Sequence, residues 1–128
     1  MTLPRVVLWF SAVLFLPFGL WGLVDPVQVT GLTQVQLPTP TALADGRAMY
    51  GGMVLGLGLV FAFCASRPSM LRAGLWALLL TIGCVFLGRL AGVLIDGASG
   101  TPTLPTLALE FALSALAGFA LWREPEST

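Results

Sequence analysis

Two ionisable side chains, those of Arg89 and Glu110, lie inside long apolar stretches of the sequence. At the centre of a membrane helix each would cost ~2.5 to 3.5 kcal/mol on the insertion scale, so each needs a polar partner. Counted from Asp96 and Pro105, where the stretches end, they lie roughly 10 and 8 Å deep. Opposite charges at similar depth predict a contact, which is either an ion pair that fixes helix register or the centre of a polar site.

Further polar residues lie toward the same ends of these stretches and complete a candidate ligand-binding set. Two arginines near one deep carboxylate leave a positive surplus, which favours a carboxylate or phosphate ligand, and aspartates at the rim reduce that surplus. The predicted set is Asp45, Arg47, Tyr50, Arg89, Asp96 and Glu110. The ligand predicted for it is a small anionic molecule or a lipid head group.

Two other functions remain open for the same residues. Glu110 could act as acid or base and Arg89 could polarise an oxygen in an enzyme whose substrate dissolves in lipid. The chain could also be a structural subunit of a membrane complex. No residue pattern separates these classes, and our interpretation of the sequence favours a protein that is not an enzyme.

Composition argues against several kinds of chemistry. The chain has no histidine, which is the commonest metal ligand and the usual base near neutral pH, so we expect no metal and no cofactor. Cys64 and Cys84 lie in apolar stretches without a CxxC spacing and are interpreted as small buried hydrophobes. Six basic and six acidic residues give no net charge, and no basic patch indicates nucleic acid.

Four apolar stretches must position these residues. The 128 residues are 57% hydrophobic and 9% charged, against roughly 25% charged in a soluble domain. Each stretch has the ~20 residues needed to cross a bilayer. We predict an all-α integral membrane protein, an up-down-up-down four-helix bundle forming a single domain over residues 1–128. The predicted helices cover about residues 4–24, 40–65, 70–95 and 105–122.

Turn and capping residues set these boundaries. Asp25-Pro26 is expected to end the first helix, Thr39-Pro40 to begin the second, Ser69 to cap the third and Asp96-Gly97 to end it. Residues 25–39 alternate in polarity, which would suit an extended lid at the membrane interface. The first stretch is longer than a usual signal-peptide core, so we expect it to be a retained helix.

Small residues at a spacing of four predict where helices approach each other. Lipid supplies no hydrophobic drive for association, so close backbone contact must supply much of it. The predicted packing glycines are Gly52, Gly56, Gly88, Gly92 and Gly118. The same glycines could line a ligand crevice, or could face a second copy or a partner in a membrane complex.

Arginines predict the orientation. Arg5, Arg67, Arg72 and Arg123 flank one side of the predicted bundle, whereas Asp25, Asp45 and Asp96 lie in the opposite loops. The positive-inside rule then puts both termini in the cytoplasm.

Two segments carry a family resemblance. They are DGRAMYGGMVLGLGLVF at 45–61 and GRLAGVLIDG at 88–97, followed by a linker with proline and by Glu110. With these residues the chain resembles the bacterial domain of unknown function 4345 family over nearly its whole length. Position 45 is Asp where the family pattern has Glu. The resemblance implies a four-helix inner-membrane protein, distantly similar to the DoxX-like group, and implies no activity.

Overall fold

Every regular element of the described chain is a helix. The computed structural model describes residues 1–123, of which 85% are helical and none is in a strand. Four helical spans are long and apolar enough to cross a membrane: Leu3–Val24, Pro40–Ser66, Pro68–Asp96 and Thr103–Arg123. The predicted all-α class with four membrane-length helices is therefore confirmed.

The elements follow the predicted boundaries to within about two residues. Helix α1 covers Leu3–Val24, α2 covers Pro26–Gly31 and α3 covers Pro40–Gly46. A π-helical segment at Arg47–Met53 continues into α4 at Val54–Ser66, and a 3₁₀ turn at Pro68–Met70 precedes α5. Helix α5 covers Leu71–Asp96 and α6 covers Thr103–Arg123.

Two boundary predictions are corrected. Residues 26–31 form α2 instead of an extended strand, because Asp25 accepts a hydrogen bond from Gln28 N at 3.1 Å and Pro26 stands at the first helical position. Ser69 does not cap the third span, which begins as a 3₁₀ turn at Pro68. The predicted cap at Thr39 is confirmed, since its hydroxyl accepts from Ala42 N at 3.1 Å.

The chain divides into two compact units, whereas the sequence predicted a single domain. One unit is residues 10–63 and the other comprises residues 1–9 and 64–123 of the described chain. In the first unit, α1 and the second span approach so closely that side chains are excluded. A Cβ added at Gly19 or Gly22 would overlap the backbone of Leu55 or Tyr50. A Cβ at Gly51 or Gly58 would lie 2.6 or 2.9 Å from a backbone atom of α1, which is also too close. Small residues thus pack these two helices.

In the second unit, apolar side chains on one face of α5 are buried: Leu71, Leu75, Leu78 and Ile82. Gly74 allows Cys64 and Leu8 to lie against the same helix. Large apolar side chains elsewhere on α5 remain exposed, including Leu94 at 75% and Ile95 at 81%. A third or less of each apolar span is buried within the chain, so lipid is the environment that its surface requires.

Candidate functional site

A short connection holds α5 and α6 as antiparallel neighbours. Helix α5 ends where Gly97 adopts a φ of 71°, a left-handed conformation that favours glycine, and the Ala98 amide donates to Gly92 O at 3.3 Å. Helix α6 opens with the Thr103 amide donating to Gly100 O at 2.7 Å. The two helices therefore run back along each other from this end.

Arg89 and Glu110 meet across these helices. Arg89 Nε donates to both carboxylate oxygens of Glu110 at 3.0 Å, and Arg89 Nη2 donates to Oε1 at 2.9 Å. The guanidinium thus presents one edge, Nε and Nη2, to the carboxylate. This side-on arrangement is a strong, directional form of ion pair.

Both charges lie at the same depth. Arg89 is seven residues before the end of α5 and Glu110 is seven residues after the start of α6. At 1.5 Å per residue each is about 10 Å from its helix end. The depths match more closely than the sequence indicated, because α6 begins at Thr103 and not at Pro105.

The two partners differ in exposure. The Glu110 side chain is 10% exposed, whereas that of Arg89 is 28% exposed. The contact therefore encloses the carboxylate and leaves part of the guanidinium accessible. Arg89 Nη1 makes no hydrogen bond within residues 1–123, so donors of this arginine remain available.

Small and aromatic residues continue this contact toward the middle of the helices. The Phe86 and Phe111 rings lie 5.6 Å apart between centroids, tilted by 49°. One turn deeper, Ser114 Oγ lies 3.9 Å from the position that a Cβ on Gly83 would occupy. This hydroxyl is buried and has no hydrogen-bond partner in the described part of the chain. The seam between α5 and α6 is thus polar at two levels.

Asp96 is the last residue of α5, at the end where α5 connects to α6. Its side chain is exposed, and Oδ2 lies 3.9 Å from where a Cβ on Gly92 would be. It forms no salt bridge with Arg89, which uses Glu110 instead. Asp96 therefore contributes negative charge at the rim.

Arg47, Tyr50 and Asp45 belong to the other unit. Arg47 Nη1 donates to the carbonyl oxygens of Leu23 and of Val24, the latter at 3.1 Å, and so satisfies the end of α1. Tyr50 is half-buried, and its backbone carbonyl lies against α1. Asp45 is exposed. The signal for this capping role is a cation near the start of the second span, at the end where α1 leaves its last carbonyl groups open, although α2 and α3 lie between them in sequence.

The predicted packing glycines are corrected. A Cβ on Gly56, Gly88 or Gly118 would meet nothing within 4 Å, and on Gly52 or Gly92 only an atom of the same helix at 3.9 Å. The close approach uses Gly19, Gly22, Gly51, Gly58 and Gly74 instead. The spacing of four picked a neighbouring face of the second span, since Gly51, Leu55 and Gly58 form the face that contacts α1.

The cysteines differ from each other. Cys64 is buried, as predicted, but Cys84 is exposed, so its interpretation as a buried hydrophobe is wrong. An exposed thiol on an apolar helix is compatible with lipid, because cysteine behaves as a small hydrophobe. Within residues 1–123, no three acidic or cysteine side chains come together as a metal site would need.

Comparison with known proteins adds a family and no activity. No curated protein and no solved structure matches the chain. Residues 3–121 match the family described as "Domain of unknown function (DUF4345)". This match covers all four membrane-length helices and both members of the Arg89–Glu110 pair, so the chain belongs to the DUF4345 family.

Proposed function

We propose that this membrane protein binds a small molecule or lipid through an anionic group, a phosphate or carboxylate, that contacts Arg89. The proposal rests on one observation: only one edge of the Arg89 guanidinium is hydrogen-bonded to Glu110. Glu110 occupies the Nε and Nη2 edge, while Nη1 has no partner in residues 1–123 and the side chain is 28% exposed. Phosphate and carboxylate oxygens are the acceptors that match such a free edge.

The surroundings of Arg89 favour a ligand that enters from the membrane. Exposed apolar side chains flank the pair on both helices, among them Val85, Leu109 and Phe111. An unsatisfied N–H in this setting is costly, because no water replaces the missing acceptor. A ligand oxygen on Nη1 would remove that cost.

Arg47, Tyr50 and Asp45 are given no part in this site, since Arg47 is committed to the carbonyl groups of Leu23 and Val24. Asp96 is kept as a rim residue. The site is thus smaller than the sequence predicted and is centred on two side chains.

The orientation proposed with this function has both termini in the cytoplasm and the Arg89–Glu110 pair in the outer half of a bacterial inner membrane. In the unit that holds the pair, Arg5 Nε donates to Ala65 O at 3.1 Å, next to Arg67. A pocket at the same end of this unit is lined by Thr2, Pro4 and Arg123. This gathering of arginines supports the orientation through the positive-inside rule.

The test is native mass spectrometry of gently extracted protein. Wild type should retain a small molecule or lipid that Arg89→Gln loses, while Arg123→Gln, the same change at the opposite end of the unit, should retain it. Helicity measured by circular dichroism reports folding in each case. If wild type and Arg89→Gln carry the same bound species, or if neither carries any, the ion pair only holds α5 and α6 together and binds no ligand.

A further inference from the structure

The charges beside Arg89 restrict the net charge of the ligand, which the free guanidinium edge alone does not. Arg89 and Glu110 neutralise each other, and Asp96 adds a negative charge toward the outer end of α5. A ligand with a net negative charge would therefore bring an uncompensated anion into an apolar setting, which is strongly unfavourable. A ligand whose anionic group is accompanied by a cation avoids this cost.

One carboxylate oxygen of Glu110 can accept a hydrogen bond from that cation. Oε1 accepts two hydrogen bonds, from Nε and Nη2, whereas Oε2 accepts one, from the shared Nε, within the described residues. A carboxylate provides about four acceptor positions, so Oε2 retains capacity for an ammonium donor. Arg89 Nη1 and Glu110 Oε2 thus each keep unused hydrogen-bonding capacity within the described residues, and the Glu110 side chain is 10% exposed.

We propose that the ligand is a zwitterionic lipid whose phosphate contacts Arg89 Nη1 and whose primary ammonium contacts Glu110 Oε2, as in a phosphatidylethanolamine. This rests on the proposed function and specifies its ligand. Asp96, at the rim of the same helix, attracts the ammonium end of the head group. A primary ammonium has three N–H donors, whereas the quaternary ammonium of phosphatidylcholine has none, so the site distinguishes the two.

The surface next to Arg89 suits acyl chains. A Cβ on Gly88 would meet nothing within 4 Å, so no side chain in residues 1–123 covers that part of α5. Val85 and Leu87 on α5 and Phe111 on α6 are 45%, 61% and 59% exposed. These exposed apolar side chains face the membrane, so the ligand enters sideways from the bilayer. We therefore propose a lipid and not a free zwitterion from water.

The experiment is competition between lipids with identical acyl chains, read by native mass spectrometry of the full chain. Equimolar phosphatidylethanolamine, phosphatidylcholine and phosphatidylglycerol are added to protein in mild detergent. Wild type should retain phosphatidylethanolamine about tenfold over each of the others, the ratio that one charge-assisted hydrogen bond supplies. Free phosphoethanolamine at equal concentration should not displace it.

Variants separate a ligand contact from a structural role. Glu110→Gln removes the negative charge beside Arg89, so retention should shift from phosphatidylethanolamine to phosphatidylglycerol. Arg89→Gln should abolish retention of all three lipids, and Arg123→Gln should behave as wild type. A residue that only held the helices together would not reverse a head-group preference. If Glu110→Gln fails to fold, the preference of wild type decides the matter.

The outcomes distinguish the inference from the function on which it rests. Preference of wild type for phosphatidylglycerol, lost in Arg89→Gln, would overturn the zwitterion and keep the anion-binding function. Displacement by free phosphoethanolamine would overturn the lipid as the source. Equal retention of the three lipids by wild type and Arg89→Gln, or no retention by wild type, would overturn both proposals.

Discussion

Breaking the Arg89–Glu110 pair from one side should destabilise the protein more than removing both charges together. Glu110→Leu deletes a carboxylate that accepts three hydrogen bonds from Arg89 and leaves the guanidinium in an apolar seam. Loss of one partner of a buried pair costs ~3 to 5 kcal/mol. Since the Arg89 side chain is 28% exposed and can turn toward the helix surface, we expect the lower part of this range, about 3 kcal/mol.

The double variant Arg89→Met and Glu110→Leu should recover most of that loss. Both charges are gone, and apolar side chains of similar size fill the space between α5 and α6. Replacing a buried ion pair in this way is neutral or stabilising by about 1 to 4 kcal/mol relative to the intact pair. We therefore expect the double variant to lie within about 1 kcal/mol of wild type. With about 3 kcal/mol lost in each single variant, the interaction energy between the two sites is about 5 to 7 kcal/mol.

Equilibrium unfolding in mixed micelles, followed by circular dichroism, measures the free energy of unfolding for wild type, each single variant and the double variant. Additive losses, in which the double variant loses as much free energy of unfolding as the two single variants together, would show that the two side chains do not interact. Single variants within about 0.5 kcal/mol of wild type would refute the reasoning equally, because they would place the charges apart in the membrane.

Four further changes follow from the contacts. Gly22→Ala forces a Cβ into the Tyr50 carbonyl and should lower the unfolding free energy by about 2 kcal/mol, whereas Gly118→Ala, in open space, should raise it by about 0.5 to 1 kcal/mol. Ser114→Ala removes a buried hydroxyl without a partner in residues 1–123 and should be neutral or stabilising by about 1 kcal/mol. Arg47→Ala removes the cap of α1 and should cost about 1 kcal/mol. The same unfolding assay checks each, and the opposite sign would contradict the contact concerned.

The pairing of Arg89 with Glu110 could be predicted from sequence because a membrane limits the choices. Few charges lie inside the apolar stretches. Two charges of opposite sign at matching depth are each other's nearest possible partner, so an ion pair between them is expected. The same reasoning placed the four helices, since length and apolarity alone define a span. The structure confirms those helices and also pairs the two residues.

Arg47 shows what this reasoning misses. Its partners are backbone carbonyl groups of Leu23 and Val24, and a search for opposite side-chain charges does not include them. The open carbonyl groups at the end of every helix are nevertheless fixed by helix geometry. Including them would have removed Arg47 from the candidate site.

Helix faces were the other source of error. The face of the second span that contacts α1 carries Gly51, Leu55 and Gly58, at helical spacings of four and three. Gly52 and Gly56, also four residues apart, lie on a neighbouring face, so spacing alone does not tell which of the two faces contacts α1. For residues 26–31, alternating polarity was followed although Asp25 and Pro26 carry the stronger helix-start signal.

Solid-state NMR in phosphatidylethanolamine bilayers can show whether Arg89, paired with Glu110, contacts a lipid phosphate inside the membrane. Arginine labelled with ¹⁵N and glutamate labelled with ¹³C report the guanidinium to carboxylate contact, and lipid ³¹P reports the ligand. We expect a Glu110 carboxyl carbon within about 4 Å of Arg89 Nε, and a phosphorus contact at Arg89 that disappears in Arg89→Gln. A separated pair, or a phosphorus contact that survives this substitution, would contradict this expectation.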